Sequence, residues 1–131
     1  MANILVVEDS PAVRMAIVEV LEDLGHAVTE TENGRIALKH LDTTAFDLVV
    51  TDVLMPEVDG IEVIKAVRRT HPRTKILAIS GGAPNLPAGY ALKLTEMFSA
   101  DAVLYKPFMN DELRNSVGDL VGRQAVPGDA G

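Results

Sequence analysis

No cysteine occurs anywhere in the 131 residues, which excludes disulfides and thiolate metal sites and leaves the cellular compartment open. Basic charge is scarce: 12 Lys and Arg face 19 Asp and Glu, for a formal net charge of −7. A nucleic-acid binder would carry a basic stripe, and none runs through this chain. The densest basic group, Arg68, Arg69, Arg73 and Lys75, reads as a solvated helix end and turn. Long apolar runs are missing too. The N-terminal run Ile4 to Val7 is far too short for a signal peptide or a membrane span, and no Lys or Arg precedes Arg14. A cytoplasmic protein without membrane contact is therefore expected. The G-x-G-x-x-G loop of nicotinamide enzymes is absent, as are internal repeats, low-complexity blocks and linkers.

What is present is an ordinary globular balance, 47% hydrophobic and 24% charged, long enough for one domain with a single core. That domain is expected over residues 1–124, with 125–131 a disordered tail. Ile4-Leu5-Val6-Val7 is solidly apolar, as a strand buried on both faces needs. Ser10 can cap the next helix and Pro11 can take its first position. Val13, Ile17, Val20, Leu21 and Leu24 then recur at helical spacing, and Gly25 offers a left-handed stop. Ala27 to Thr31 alternates and carries charge, as an edge strand does. Asn33 can cap a second helix. Leu48-Val49-Val50 is another buried strand, closed by Pro56 and by Asp59-Gly60, whose turn chemistry leads into a third helix with Ile61, Ile64 and Val67. Ile76 to Ile79 is the fourth strand. After Pro84 and Pro87 a fourth helix is expected from about residue 88, then a short strand at Ala102 to Tyr105 and a fifth helix following Asn110.

Alternating strands and helices predict an α/β fold: a doubly wound, five-stranded parallel sheet with five helices. The three most apolar strands belong in the middle, giving the flavodoxin-like order 2-1-3-4-5. In such a sheet the ligand crevice lies at the carboxyl ends of the strands, where the order reverses between the first and third. The residues delivered there are Glu8, Asp9, Asp52, Ser80 and Lys106. Two carboxylates about 5 Å apart repel by about 3 kcal/mol at an effective dielectric near 20. Such a cluster takes up a proton or a cation, and oxygen ligands without Cys or a nearby His suit Mg2+. A carboxylate nucleophile, a divalent ion, a lysine and a hydroxyl are what phosphoryl transfer onto an aspartate requires.

With Glu8-Asp9, the stretch Asp52-Val53-Leu54-Met55-Pro56-Glu57-Val58-Asp59-Gly60, Ser80 and Lys106-Pro107-Phe108 in this order, the chain resembles a response-regulator receiver domain of two-component signalling over about residues 3–124. The resemblance implies that Asp52 accepts a phosphoryl group from a sensor histidine kinase or a histidine phosphotransfer protein. It implies Mg2+ held by Asp9, Asp52 and the Leu54 carbonyl, with Glu8 acting mainly through water, and phosphoryl oxygens bound by Ser80 and Lys106. A cis Lys106–Pro107 bond is expected, as is a switch surface at the fourth helix, fifth strand and fifth helix that meets a downstream protein. Such a chain is a signalling switch rather than an enzyme, with weak self-phosphorylation and autodephosphorylation chemistry. With no output domain expected after the last helix, it reads as a stand-alone regulator or relay intermediate, a monomer or a weak phosphorylation-dependent dimer.

Three departures stand out. Val103 takes the position where the family usually has an aromatic, although Tyr105 shares its face of the strand. Ser99 stands where glycine is common before the last strand. Gly81-Gly82 with Pro84 and Pro87 suggests a late-starting, mobile fourth helix. Two rivals share parts of the pattern. A haloacid-dehalogenase-like phosphatase wants a second acid where Leu54 stands, and in a flavodoxin-like FMN carrier Glu8-Asp9 would repel the phosphate. His26, His40 and His71 do not converge on the crevice and read as structural or solvated.

Overall fold

The computed structural model describes residues 1–53, 60–81 and 99–122. Five parallel strands, β1 (Asn3–Val7), β2 (Ala27–Thr31), β3 (Leu48–Asp52), β4 (Lys75–Gly81) and β5 (Ala102–Lys106), form one sheet in the order 2-1-3-4-5. Among the described residues there are four helices: α1 (Pro11–Asp23), α2 (Gly34–Thr43), α3 (Gly60–Thr70) and α4 (Asn110–Val121). The last is the helix expected fifth. The helix expected from about residue 88, the Leu54 carbonyl and the tail 125–131 lie outside the described residues.

Strand burial follows the sequence pattern. Ile4, Leu5, Val6, Leu48, Val49, Val50, Ile76 and Leu77 are inaccessible to solvent, as the middle of a two-sided sheet demands. Consecutive side chains alternate between two cores. Ile4, Val6, Leu48, Val50, Leu77, Ile79 and Leu104 pack with Ile17 and Leu21 of α1 and Leu113 and Val117 of α4. Leu5, Val7, Val49, Ile76 and Ala78 pack on the opposite side with Ala37 and Leu41 of α2 and Val63, Ile64 and Val67 of α3. Each fully buried aliphatic side chain contributes about 1.5–3 kcal/mol. β2 and β5 are only partly covered, as edges are.

Helix ends follow local chemistry. The Ser10 hydroxyl accepts from the Val13 N–H at 3.4 Å, with Pro11 at the first turn. Asn33 Oδ1 accepts from Ile36 N–H at 2.9 Å. Gly25 has φ +90°, the left-handed stop the sequence offers. Helix α4 opens with Glu112 Oε1 accepting from the Met109 N–H at 3.0 Å.

Of the basic group, Arg69, Arg73 and Lys75 are exposed as expected, and Arg68 is the correction. It does not end in solvent: its guanidinium donates to the Ser99 carbonyl at 2.8 and 2.6 Å, to the Thr74 carbonyl at 3.1 Å and to Asp101 at 2.7 Å. Ser99 takes φ +58°, the left-handed conformation that glycine would adopt without penalty. Holding a non-glycine residue there costs about 1–2 kcal/mol, and two donors on its carbonyl offset that.

Candidate active site

The site lies where β1, β3, β4 and β5 end. Solid apolar runs bring those strands side by side, and each run gives way to a polar residue at the same edge of the sheet. Val7 is the last residue of β1, so Glu8 and Asp9 form the corner into α1. Glu8 N–H still donates to Thr31 O on β2 at 3.1 Å. Asp52 is the last residue of β3, paired with Ile79 on β4. Ser80 follows Ile79 and pairs with Tyr105, and Gly81 pairs with Lys106. Glu8 is 0% exposed, Asp52 4% and Ser80 5%, whereas Asp9 is exposed.

Lys106 joins the strands across the sheet. Its Nζ donates to Glu8 Oε1 at 2.6 Å and to Asp52 Oδ2 at 2.9 Å, short charge-assisted bonds. One carboxylate oxygen each from Glu8, Asp9 and Asp52 lies within 4.8 Å of the others. Two of these acids, Glu8 and Asp52, thus share one lysine, and Asp9 stands beside them. Burial pushes the Glu8 carboxyl up to about 7, the neighbouring Asp52 carboxyl pushes the same way, and Lys106 pulls against both. Burial on its own would lower the Lys106 ammonium, but its bonds to Glu8 and Asp52 and their charges hold it above the ordinary lysine value. Among the described residues Glu8 Oε2 is buried without a hydrogen-bond donor. An all-oxygen, anionic donor set with a buried oxygen lacking a donor fits a hard divalent cation.

Two features of the site escaped the sequence reading. A side chain on Gly60 would collide with the Asp52 carbonyl oxygen, and its Cβ would stand 2.7 Å from Asp52 C and from Val53 Cα. Gly60 therefore does more than turn the chain: it lets the start of α3 close on the end of β3. The Asp-Gly step just before a helix was the available signal. Secondly, Arg14 Nη1 donates to the Glu8 carbonyl at 2.8 Å, signalled only by its place one turn after Ser10. The Lys106–Pro107 bond is cis, as expected. Val103 is half-buried against the α2–α3 core. Among the described residues no histidine joins the acidic cluster: His26 Nδ1 accepts from the Ala2 N–H at 3.0 Å, and His71 Nε2 lies 2.8 Å from the Leu41 carbonyl.

A doubly wound sheet carrying acids, a hydroxyl and a lysine at its switch point defines a class of signalling domain rather than a nucleotide enzyme. The chain belongs to the response regulator receiver domain family, whose profile matches residues 4–118. It is 37% identical over 122 residues to the response regulator receiver protein CpdR of Brucella abortus, covering 92% of this chain and 98% of that protein. It is 35% identical over 130 residues to the sensor kinase CckA of the same organism, covering 94% of this chain but 13% of that one. It spans 48% of the transcriptional regulatory protein TcrA of Mycobacterium tuberculosis. Among solved structures, the receiver domain of the Francisella response regulator 1452 superposes with a TM-score of 0.81 at 28% identity, covering 94% of this chain and 98% of that one. The response regulator TrrA of Thermotoga maritima, in complex with Mg2+-BeF, gives 0.76 at 33% identity, covering 92% and 99%. Receiver domains are switches of two-component signalling that bind Mg2+ at an acidic pocket and interact with histidine kinases and phosphotransfer proteins. Among the described residues no helix is long and apolar enough to cross a membrane.

Proposed function

We propose that this chain is a phosphoacceptor response regulator of the cytoplasm, a single receiver unit over residues 1–124, in which Asp52 is the phosphorylated residue. The observation that carries this reading is Lys106 Nζ, 2.6 Å from Glu8 Oε1 and 2.9 Å from Asp52 Oδ2, at the end of a different strand from either acid. Glu8, Asp9, Asp52 and the Leu54 carbonyl would hold Mg2+. When bound, the ion supplies neutralising charge for the phosphoryl oxygens.

The chemistry asked of the protein is mainly positioning. A carboxylate oxygen of Asp52 bonds to phosphorus as the P–N bond of a phosphohistidine on the partner kinase or phosphotransfer protein breaks. The imidazole leaves with the bonding electron pair. Lys106 holds the attacking carboxylate and then pairs with a phosphoryl oxygen, while Ser80 donates a hydroxyl to another. Hydrolysis of the acyl phosphate by water restores Asp52, which gives the weak turnover of a switch. Phosphorylation adds charge and acceptor oxygens at the ends of β4 and β5. Closure of Ser80 and Lys106 on them would re-pose the face made by the fourth helix of the sequence reading, β5 and α4, which meets a downstream protein or a second copy weakly. Val103 in place of an aromatic leaves that readout to other side chains of the face.

The test is intact mass after acetyl phosphate and Mg2+. The native chain should gain one phosphoryl group and Asp52→Asn none; equal labelling of both would refute the assignment. Ser80→Ala should keep Mg2+ binding yet lose most of the NMR response of β5 to beryllium fluoride.

A further inference from the structure

Beyond Glu8 the chain leaves the sheet, and the corner Glu8-Asp9-Ser10 has no ladder to hold it. Its N–H side is fixed by β2: Glu8 N–H donates to Thr31 O at 3.1 Å, and Thr31 Oγ1 donates to Val6 O at 2.9 Å. Among the described residues its carbonyl side is held by Arg14. The Arg14 N–H donates to Ser10 O at 2.9 Å, and the Arg14 guanidinium turns back to donate from Nη1 to Glu8 O at 2.8 Å. These two bonds bracket Asp9 from either side. The same guanidinium donates from Nε to Glu30 Oε1 on β2 at 3.3 Å, so its orientation is set from the edge strand.

We infer that Arg14, aligned by Glu30, is a positioning residue for the acidic corner and sets how strongly the Glu8, Asp9 and Asp52 carboxylates bind Mg2+. This rests on the reading of that cluster as a Mg2+ site. Among the described residues the Arg14 side chain bonds to Glu8 O and Glu30, and to none of the three site carboxylates. It acts through the backbone that carries two of the three acids, and its planar fork reaches Glu8 O and Glu30 together. A lysine ammonium is a point donor on a flexible stem and cannot hold both in one fixed geometry.

The experiment compares the full native chain with Arg14→Gln, Arg14→Lys and Glu30→Gln. Mg2+ affinity is read by calorimetry or amide NMR. Acetyl phosphate labelling is followed against Mg2+ concentration, and the thermal midpoint is measured without metal. Loss of a supporting partner outside the ligand set should weaken Mg2+ binding by about tenfold in Arg14→Gln. Arg14→Lys should fall between that variant and the native chain. Glu30→Gln, which removes an exposed partner, should weaken binding by about threefold or less. The labelling rate at saturating Mg2+ and the metal-free midpoint should stay near native values. Native affinity in Arg14→Gln would overturn the inference, as would a lowered saturating rate and midpoint with affinity unchanged, the mark of a purely structural residue. If Arg14→Gln does not fold, native affinity in both Arg14→Lys and Glu30→Gln overturns it. A native chain that binds no Mg2+ refutes the site reading itself and this inference with it.

Discussion

The two ends of the sheet treat their polar residues in opposite ways. Where the strands begin, side chains close on backbone. Asp47 Oδ2 accepts from Asn3 N–H at 2.7 Å, Asp101 Oδ2 from Ile76 N–H at 2.7 Å, and Thr74 Oγ1 donates to Phe46 O at 2.6 Å. Arg68 gathers Ser99, Thr74 and Asp101, and His26 caps the first strand through Ala2. Where the strands finish, three acids cluster, two of them share one lysine, and among the described residues Glu8 Oε2 is buried without a donor. The first end spends its polarity on holding the fold. The second leaves negative charge uncompensated, which is a poor way to gain stability and a good way to attract a cation.

The largest test of that contrast is Lys106→Ala. It removes the ammonium that bridges Glu8 and Asp52, and acetyl phosphate labelling should fall by at least about tenfold. Labelling at the native rate would show that the lysine serves only the fold. Gly60→Ala comes next. Its methyl group meets the Asp52 carbonyl, so unfolding free energy should drop by about 1–3 kcal/mol, with amide shifts concentrated at Asp52 and Val53. Native stability would mean that α3 moves aside freely.

At the other end, Arg68→Ala should cost about 2 kcal/mol in urea unfolding, because three acceptors lose their donor, while labelling of Asp52 stays native. A labelling defect as large as that of Lys106→Ala would erase the distinction between the ends. The smallest effect concerns pH. Burial lowers the His26 imidazole below its ordinary 6.5, and the nearby N-terminal amine adds to this. The unfolded chain therefore takes up the proton first, and the stabilisation from neutral His26 is full above pH 6.5 and declines as pH falls below it. His26→Gln should be less stable at pH 7.5, with the gap narrowing at pH 5; a gap that widens on acidification would contradict the sign.

These ends also differ in how much of them the sequence reveals. The strand order and the crevice follow from local signals: Leu48-Val49-Val50 is too apolar for an edge, and Glu8, Asp52, Ser80 and Lys106 each sit just where such a run stops. Ser10, Gly25 and Asn33 announce helix ends by chemistry that acts within four residues. Arg68 reads as solvated because its acceptors at Ser99 and Asp101 are 31 and 33 residues away. Gly60 reads as a turn because the collision that requires it is with backbone eight positions earlier in the chain. The left-handed Ser99 shows the same limit, since its penalty is local and its compensation comes from α3.

Lys106 and Glu8 meet across 98 positions of chain, and Lys106 and Asp52 across 54. No fragment ending before β5 holds all three, and β1, β3, β4 and β5 must all be in place to align them. If Asp52 is the phosphoacceptor proposed above, phosphorylation would double as an inspection of the finished protein. On that proposal, a ribosome-bound or proteolytically shortened chain would carry Asp52 without the lysine that faces it, and would respond poorly until its last strand had docked.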